Sequence, residues 1–372
     1  MKFICDKKEL AAALKIATRA LGTGKTNPML ECVLIKAKNE NTVELVCNDT
    51  ELAISTKLTA NVMTPGEIAI EGKLLSDIAN KSYNGEVQFE TNENLTATIK
   101  SGKAKFAIPG KPADDFTDIP EKQSGIDITV PTEDFCYAID RTVFCAAPQN
   151  NSESNRNSII MMGECINVSS DEMTITALDG HRIGMRKLKL NAVMNYPDLE
   201  VIIPGKTLRE ICKIATGDEM IISFEKMNVI FTFGDTVVVS RTIEGKYFDI
   251  SKIMRNDSTI KVEVDKKEFI DAVDRTTVLI RKDEKKPLVV TLNDDTMTFD
   301  VTTSYGTTSE DIGIYKTGGD LRIGFNPSFL IAAANAIDEE YITMELLSPK
   351  APVFFKDDYG TYMYVVLPVN IN

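Results

Sequence analysis

Asp179-Gly180-His181-Arg182 places a carboxylate two residues before the only histidine of the chain. An aspartate orienting an imidazole as general base would open a route to hydrolysis. A nucleophile and an oxyanion site would also be needed, and residues two apart on a strand turn do not pair automatically. A structural turn is the alternative. Gly22-Thr23-Gly24-Lys25-Thr26 ends like a phosphate-binding loop, but the full spacing calls for glycine where Arg19 stands, and the segment follows a predicted helix rather than a strand. The seven cysteines, at 5, 32, 47, 136, 145, 165 and 212, include no C-x-x-C pair. With an odd count and a single histidine beside them, they read as free, mostly buried thiols, not as a disulfide framework or zinc site. Catalysis therefore has little to build on, and neither a cofactor nor a metal is expected.

Positive charge gathers in a few places. Lys206, Arg209 and Lys213 fall at i, i+3 and i+7, on one side of a predicted helix. Arg281, Lys282, Lys285 and Lys286 form the densest basic cluster, and Lys73, Arg141 and Arg275 stand singly on predicted helices. An ordinary solvated face is the alternative for each. The whole chain is acidic, with 42 Lys+Arg against 55 Asp+Glu and a net charge of -13. Taken alone, that balance argues against sequence-independent binding to nucleic acid, whose affinity comes largely from neutralised phosphates.

The elements that must position these residues come from a threefold repeat. Lys2 to Leu21, Asp127 to Ala146 and Lys261 to Ile280 align without gaps. Each is a short alternating run followed by Asp6, Thr132 or Asp265 near a helix start, with acidic residues in the first turn. In the helix, Leu10, Leu14, Thr18 and Leu21 correspond to Phe135, Ile139, Val143 and Ala146, and to Phe269, Val273, Thr277 and Ile280, a largely apolar stripe that predicts one buried face three times. A second unit recurs at Ile68 to Ala79, Val201 to Cys212 and Leu321 to Ala333, where a strand meets a Gly or Asn-Pro turn and then a helix. Its predicted apolar positions are Leu75/Ile78/Ala79, Leu208/Ile211/Cys212 and Phe329/Ala332/Ala333. The rest alternates apolar and polar residues between turn signals, as antiparallel strands do.

The repeats are domain-sized rather than solenoid units of roughly 20–50 residues. They divide the 372 residues into 1–125, 126–255 and 256–372, each an α+β domain with two helices packed on antiparallel sheets. Hydrophobic residues make up 43% and charged residues 26%, and no apolar run approaches the ~20 residues that span a bilayer. Met1-Lys2-Phe3-Ile4-Cys5-Asp6-Lys7 carries charge where an export signal needs an apolar stretch. A cytoplasmic protein without membrane attachment is expected.

This arrangement resembles the bacterial replicative sliding clamp, the beta subunit of DNA polymerase III. The opening MKF unit carries the resemblance, together with Gly24 to Leu30, Cys47-Asn48-Asp49-Thr50-Glu51-Leu52, Ser101 to Phe116, Asp179-Gly180-His181-Arg182 and the ending Tyr364-Val365-Val366-Leu367-Pro368-Val369. The family implies a homodimer, two three-domain chains closed head to tail into a ring around double-stranded DNA, with helices lining the hole and sheets outside. A ring holds DNA by topology, so a net acidic chain needs only weak phosphate contacts from its inner face. The resemblance places Lys25 and the 281–286 loop at the DNA backbone, with Lys73, Arg141, Lys206, Arg209, Lys213 and Arg275 as further DNA-facing candidates. Phosphate contacts suit sliding because they read no sequence.

The resemblance also implies a pocket for a partner's short linear motif, built here from Gly180, His181, Arg182 and Ile183 with Val365, Val366, Leu367, Pro368 and Val369, and with Asn326 and Phe329 nearby. Three positions depart from the family pattern: Leu178 stands where threonine is frequent, Phe248 where proline lines the pocket, and Asn370 where arginine is common. The subunit joint maps to Lys103, Lys105, Phe106 and Ile108 on one side and to Val278 and Leu279 on the other. The implied partners are the replicative polymerase's catalytic subunit, an ATP-driven clamp loader and other proteins bearing the docking motif. The alternatives are a hydrolase using Asp179 and His181, and a repeat-domain scaffold that binds proteins but not DNA.

Overall fold

A computed structural model of the chain describes residues 1–23, 27–117, 119–120, 122–123, 125–148, 156–190, 198–251, 253, 257–281, 284 and 286–371. The strand-then-helix unit forms three times. Strand Lys2–Asp6 runs into helix Lys7–Ala17, where Asp6 Oδ1 accepts the Lys8 amide at 2.7 Å; strand Ile260–Asp265 runs into helix Lys266–Thr276, where Asp265 Oδ1 accepts the Glu268 amide at 2.8 Å. Each cap satisfies one of the amides left open at a helix start, worth about 1 kcal/mol. The second copy, helix Thr132–Asp140, starts on Thr132 itself, whose amide donates to Asp218 O at 2.9 Å.

Leu10, Leu14, Phe135, Ile139, Phe269 and Val273 are all buried, so the predicted stripe is the core face. Thr18 and Thr277 sit in short 3-10 turns just beyond their helices. Their hydroxyls donate back to Leu14 O at 2.6 Å and Val273 O at 2.8 Å, which lets a polar residue end an apolar stripe.

Helices Gly72–Lys81 and Gly205–Ile214 bury Leu75, Ile78 and Ala79, and Leu208 and Ile211; Cys212 is only half-buried. In helix Pro327–Ala336 the buried face is Leu330, Ala333 and Ala334 rather than Phe329, Ala332 and Ala333. Here Asn326 intervenes between strand and helix as a cap, its Oδ1 accepting the Ser328 amide at 3.1 Å, and this extra residue shifts the stripe. Phe329 is thereby left half-buried. The second repeat also contains a six-residue helix, Arg156–Met161, that periodicity does not reveal.

Packing divides the chain into two units that cut across the repeats: Met1–Phe135 with Lys206–Thr242, and Cys136–Gly205 with Ile243–Asn372. Sheet pairing is the reason. In the first unit the long strand Leu52–Thr64 pairs with Thr42–Asn48, with Lys2–Asp6 near its end and with Thr236–Arg241 near its start, the last in the register Ala53↔Val239 and Leu52↔Ser240. In the second unit, strand Arg182–Lys189 pairs with Tyr362–Val366 in the register Ile183↔Val365 and Arg182↔Val366. Backbone groups that would be open edges at a domain boundary are therefore satisfied by the next repeat.

Beyond Val366 the chain folds back, Leu367 N donating to His181 O at 2.9 Å and Val369 N to Gly324 O at 2.8 Å. The tail lies so near strand Leu321–Phe325 that a Cβ on Gly324 would stand 2.1 Å from Ile371 Cγ2. All seven cysteines are free thiols. Burial pushes Cys5 and Cys165 up to about 12 and also raises Cys32, Cys47 and Cys145, so these five are packing residues rather than thiolate nucleophiles. Among the described residues, no helix is long and apolar enough to cross a membrane and no group of potential metal ligands occurs.

Candidate functional site

The Asp179 turn is built by its own carboxylate. Oδ1 accepts the main-chain amides of His181 at 3.0 Å and Arg182 at 3.1 Å, and Oδ2 accepts Arg182 Nε at 2.9 Å. Gly180 has φ +86°, a left-handed conformation that glycine adopts at least cost. The hydrogen bonds of Asp179 thus go to the turn and to arginine, and the geometry is that of a structural turn rather than an acid orienting an imidazole.

What the turn presents is an aromatic and cationic face. The His181 ring lies 6.4 Å from the Phe329 ring at 28°, and the Arg182 guanidinium stands 4.5 Å from the Phe329 centroid and 5.7 Å from that of Phe144. Behind it, Ile183 and Val365 pack with Leu178, Ile160, Tyr247 and Phe354, and partly buried Phe248 and Met363 complete the cluster. Phe248 meets Tyr247 edge-on at 5.8 Å.

The residues assigned to the pocket from sequence therefore play different parts. Leu367 and Val369, each 37% exposed, offer apolar surface; Val365 and Val366, at 1% and 0%, form the wall behind it. Asn326 is occupied in capping its helix, and Pro368 is half-buried between the two exposed residues. Phe144 and Met363 were not legible as members. Phe144 reaches the face because the chain makes a 3-10 turn at Val143–Cys145, for which the apolar stripe gives no signal.

The basic candidates separate into engaged and open side chains. In the first unit Lys73, Lys206, Arg209 and Lys213 are exposed. Lys213 Nζ lies 2.8 Å from Glu210 Oε1, and Arg19 binds the other oxygen of that carboxylate. Burial opposes the charge on Glu210, but the hydrogen bonds from Lys213 and Arg19 prevail and hold it below the usual carboxylate range. In the second unit Arg141 is tied to Asp338 and to Asn335 O at 3.2 Å, and its guanidinium lies 4.8 Å from the Tyr137 centroid; only 24% of its side chain is exposed. Arg275 Nε is 3.1 Å from both Glu310 oxygens, Arg281 covers Tyr305 at 3.9 Å, and Lys286 is exposed. Lys25, Lys282 and Lys285 lie outside the described residues. Arg141 is thus an internal tie, whereas Lys73, Lys206 and Lys286 project freely enough to meet a phosphate.

Two strand edges stand out. Ala104–Pro109 is outermost in its sheet, with Lys103 and Lys105 exposed, Phe106 half-buried and Ile108 buried. Gly306–Gly313 is outermost in the four-stranded sheet of the second unit and carries Glu310 and Asp311. The second unit also exposes 76% of Val278, with Leu279 half-buried.

Three family models match in sequence order: the DNA polymerase III beta subunit N-terminal domain at residues 1–120, its central domain at 129–249 and its C-terminal domain at 251–370. The chain is 27% identical over 384 residues to the beta sliding clamp of Staphylococcus aureus, covering 99% of each. A crystal structure from Eubacterium rectale, described as a DNA polymerase III beta subunit, superposes with TM-score 0.93 at 37% identity and covers 100% of both chains. The DNA polymerase sliding clamp of Bacillus subtilis does so with TM-score 0.94 at 25% identity, again over 100% of both.

Proposed function

Since the chain belongs to the DNA polymerase III beta-subunit family, we propose that two copies close head to tail around duplex DNA, that its open cations track the phosphates, and that the groove beside His181 docks partner peptides. The family function is plain: a sliding clamp, the non-catalytic processivity subunit of the replicative polymerase. The three tandem domains each supply helices and antiparallel sheets to that architecture.

The observation that carries the docking reading is the pair of exposed apolar residues, Leu367 and Val369, with the Leu367 amide held on His181 O, next to the Arg182–Phe329 face, and the Val369 amide held on Gly324 O. Burying a partner's Leu or Phe there is worth roughly 1.5–3 kcal/mol per side chain, and Arg182 supplies a polar contact. The ring reading draws on the two strand edges. Strand addition between copies would set Lys103 and Lys105 of one edge against the Glu310 and Asp311 side of the other, with Phe106, Ile108, Val278 and Leu279 as the apolar part of the joint.

Function then follows from topology and effective concentration. A closed ring needs few phosphate contacts: Lys73, Lys206 and Lys286 supply sequence-independent ones, and the exposed Arg209, Lys213, Arg275 and Arg281 add to them, the last three by exchanging their present partners for phosphate. A polymerase held on the ring re-engages the primer end faster than it diffuses away. A clamp-loader complex in the cytoplasm opens and closes the ring, and other motif-bearing proteins share the groove.

The test is retention on DNA. Loaded by a clamp loader onto a nicked circular duplex, the protein is expected to stay bound through gel filtration in high salt, at twice the chain mass by light scattering, and to fall off when the circle is cut. Equal retention on cut DNA, or a persistent monomer, overturns the ring reading.

A further inference from the structure

The first unit contains a second copy of the frame that supports the groove. Asp49 Oδ1 accepts the amides of Glu51 at 3.0 Å and Leu52 at 2.7 Å, as Asp179 does for His181 and Arg182. Thr50 has φ +80° where Gly180 has +86°. Strand Leu52–Thr64 pairs Ala53↔Val239 and Leu52↔Ser240, the counterparts of Ile183↔Val365 and Arg182↔Val366. Arg241 N donates to Glu51 O at 2.9 Å, just as Leu367 N donates to His181 O at 2.9 Å. Position by position, Arg241 therefore stands where Leu367 stands, and Glu51 where His181 stands.

A cavity of about 270 Å³ opens beside this second turn, with Ala53, Val239 and Met227 among its apolar lining and Thr50, Glu51 and Arg241 among its polar lining. Met227 is 48% exposed, and Arg241 is exposed. Thr50 is β-branched and held in the left-handed region, a conformation that costs of order 1–3 kcal/mol and recurs at ligand sites.

We propose that this cavity is a second peptide-docking site, and that it takes an extended segment with one apolar side chain followed by an acidic residue. The apolar group enters against Met227 and Val239, and the acidic residue meets the Arg241 guanidinium at the position where the first groove offers Leu367 to an apolar one. The inference rests on reading the first groove as a peptide site, because it transfers that frame to the second. The two rims differ at one matched position, Leu367 in the first site against Arg241 in the second, where the Arg241 guanidinium shares the lining with the Glu51 carboxylate.

The full-length protein, labelled with 13C at its methionine methyls, would be titrated with acetyl-Gly-Leu-Ser-Asp-Gly-amide and with acetyl-Gly-Leu-Ser-Leu-Gly-amide. Met227 reports on the second site and Met363 on the first. Saturable movement of the Met227 resonance by the acidic peptide, weakened about tenfold in Arg241→Glu and less in Arg241→Gln, supports the proposal. A stationary Met227 resonance up to the solubility limit overturns it, as does an affinity unchanged in Arg241→Glu. The Met363 response to the apolar peptide is read in the same spectra, so failure of the first groove appears separately.

Discussion

Asp179–Arg182 and Asp49–Leu52 are one turn made twice, and what stands on it differs. In the second unit the turn carries glycine, histidine and arginine, and its carboxylate holds a half-buried guanidinium against Phe329 and Phe144 as well as two amides. In the first unit it carries threonine, glutamate and leucine, and the same carboxylate holds the two amides. The difference teaches that the repeat supplies the frame through main-chain geometry, and that recognition chemistry is added by three or four side chains set on it.

Removing the aspartate breaks the comparison most severely. Asp179→Ala leaves Arg182 without its carboxylate, where the two side chains are only 13% and 17% exposed, and is expected to cost about 3 kcal/mol. Asp49→Ala loses only turn hydrogen bonds and should cost about 1 kcal/mol. Urea unfolding of the two variants measures both, and equal losses would show that the arginine contact adds nothing.

Giving the second unit the first unit's rim sharpens the comparison. Leu367→Arg should weaken stimulation of the polymerase about tenfold in apparent affinity, read by primer extension at rising clamp concentration. Its stability should move by less than about 0.5 kcal/mol, because the side chain is 37% exposed.

The smallest effects concern the left-handed residue. Gly180→Ala is expected to lose about 1 kcal/mol from backbone strain alone, since the nearest atom to the new Cβ, Met161 Sδ, is 4.0 Å away. Thr50→Gly relieves the corresponding strain at φ +80° and should gain about 0.5 kcal/mol, part of the relief being offset by the freer unfolded chain. Melting curves giving both changes the same sign would mean that the two turns are not equivalent.

Much of the fold was legible from side-chain periodicity. The strand-helix units, their caps at Asp6 and Asp265 and the buried stripe of Leu10, Leu14, Phe135, Ile139, Phe269 and Val273 follow from residue type and spacing. The sheet that joins Leu52–Thr64 to Thr236–Arg241 was not legible, because edge pairing is made by main-chain groups that every residue carries. The stripe on helix Pro327–Ala336 was misplaced by one residue for want of recognising Asn326 as an inserted cap. At the site, the Asp179 block stood out by residue type. Phe144 did not, and the pairing of Arg141 with Asp338 joins residues almost two hundred positions apart, beyond the reach of any helical spacing rule.

The division of the second repeat between two packing units sets an order on synthesis. The first unit lacks an edge of its sheet until Thr236–Arg241 has emerged, roughly a hundred residues after Phe135, a delay of about 5 to 20 s at ~5–20 residues per second. During that interval the nascent Leu52–Thr64 strand has an open edge and Ala53 lacks the cover of Ile230 and Val239. Whatever shields a growing chain at the ribosome is needed most between those two points, and a pause in translation there would prolong the exposure.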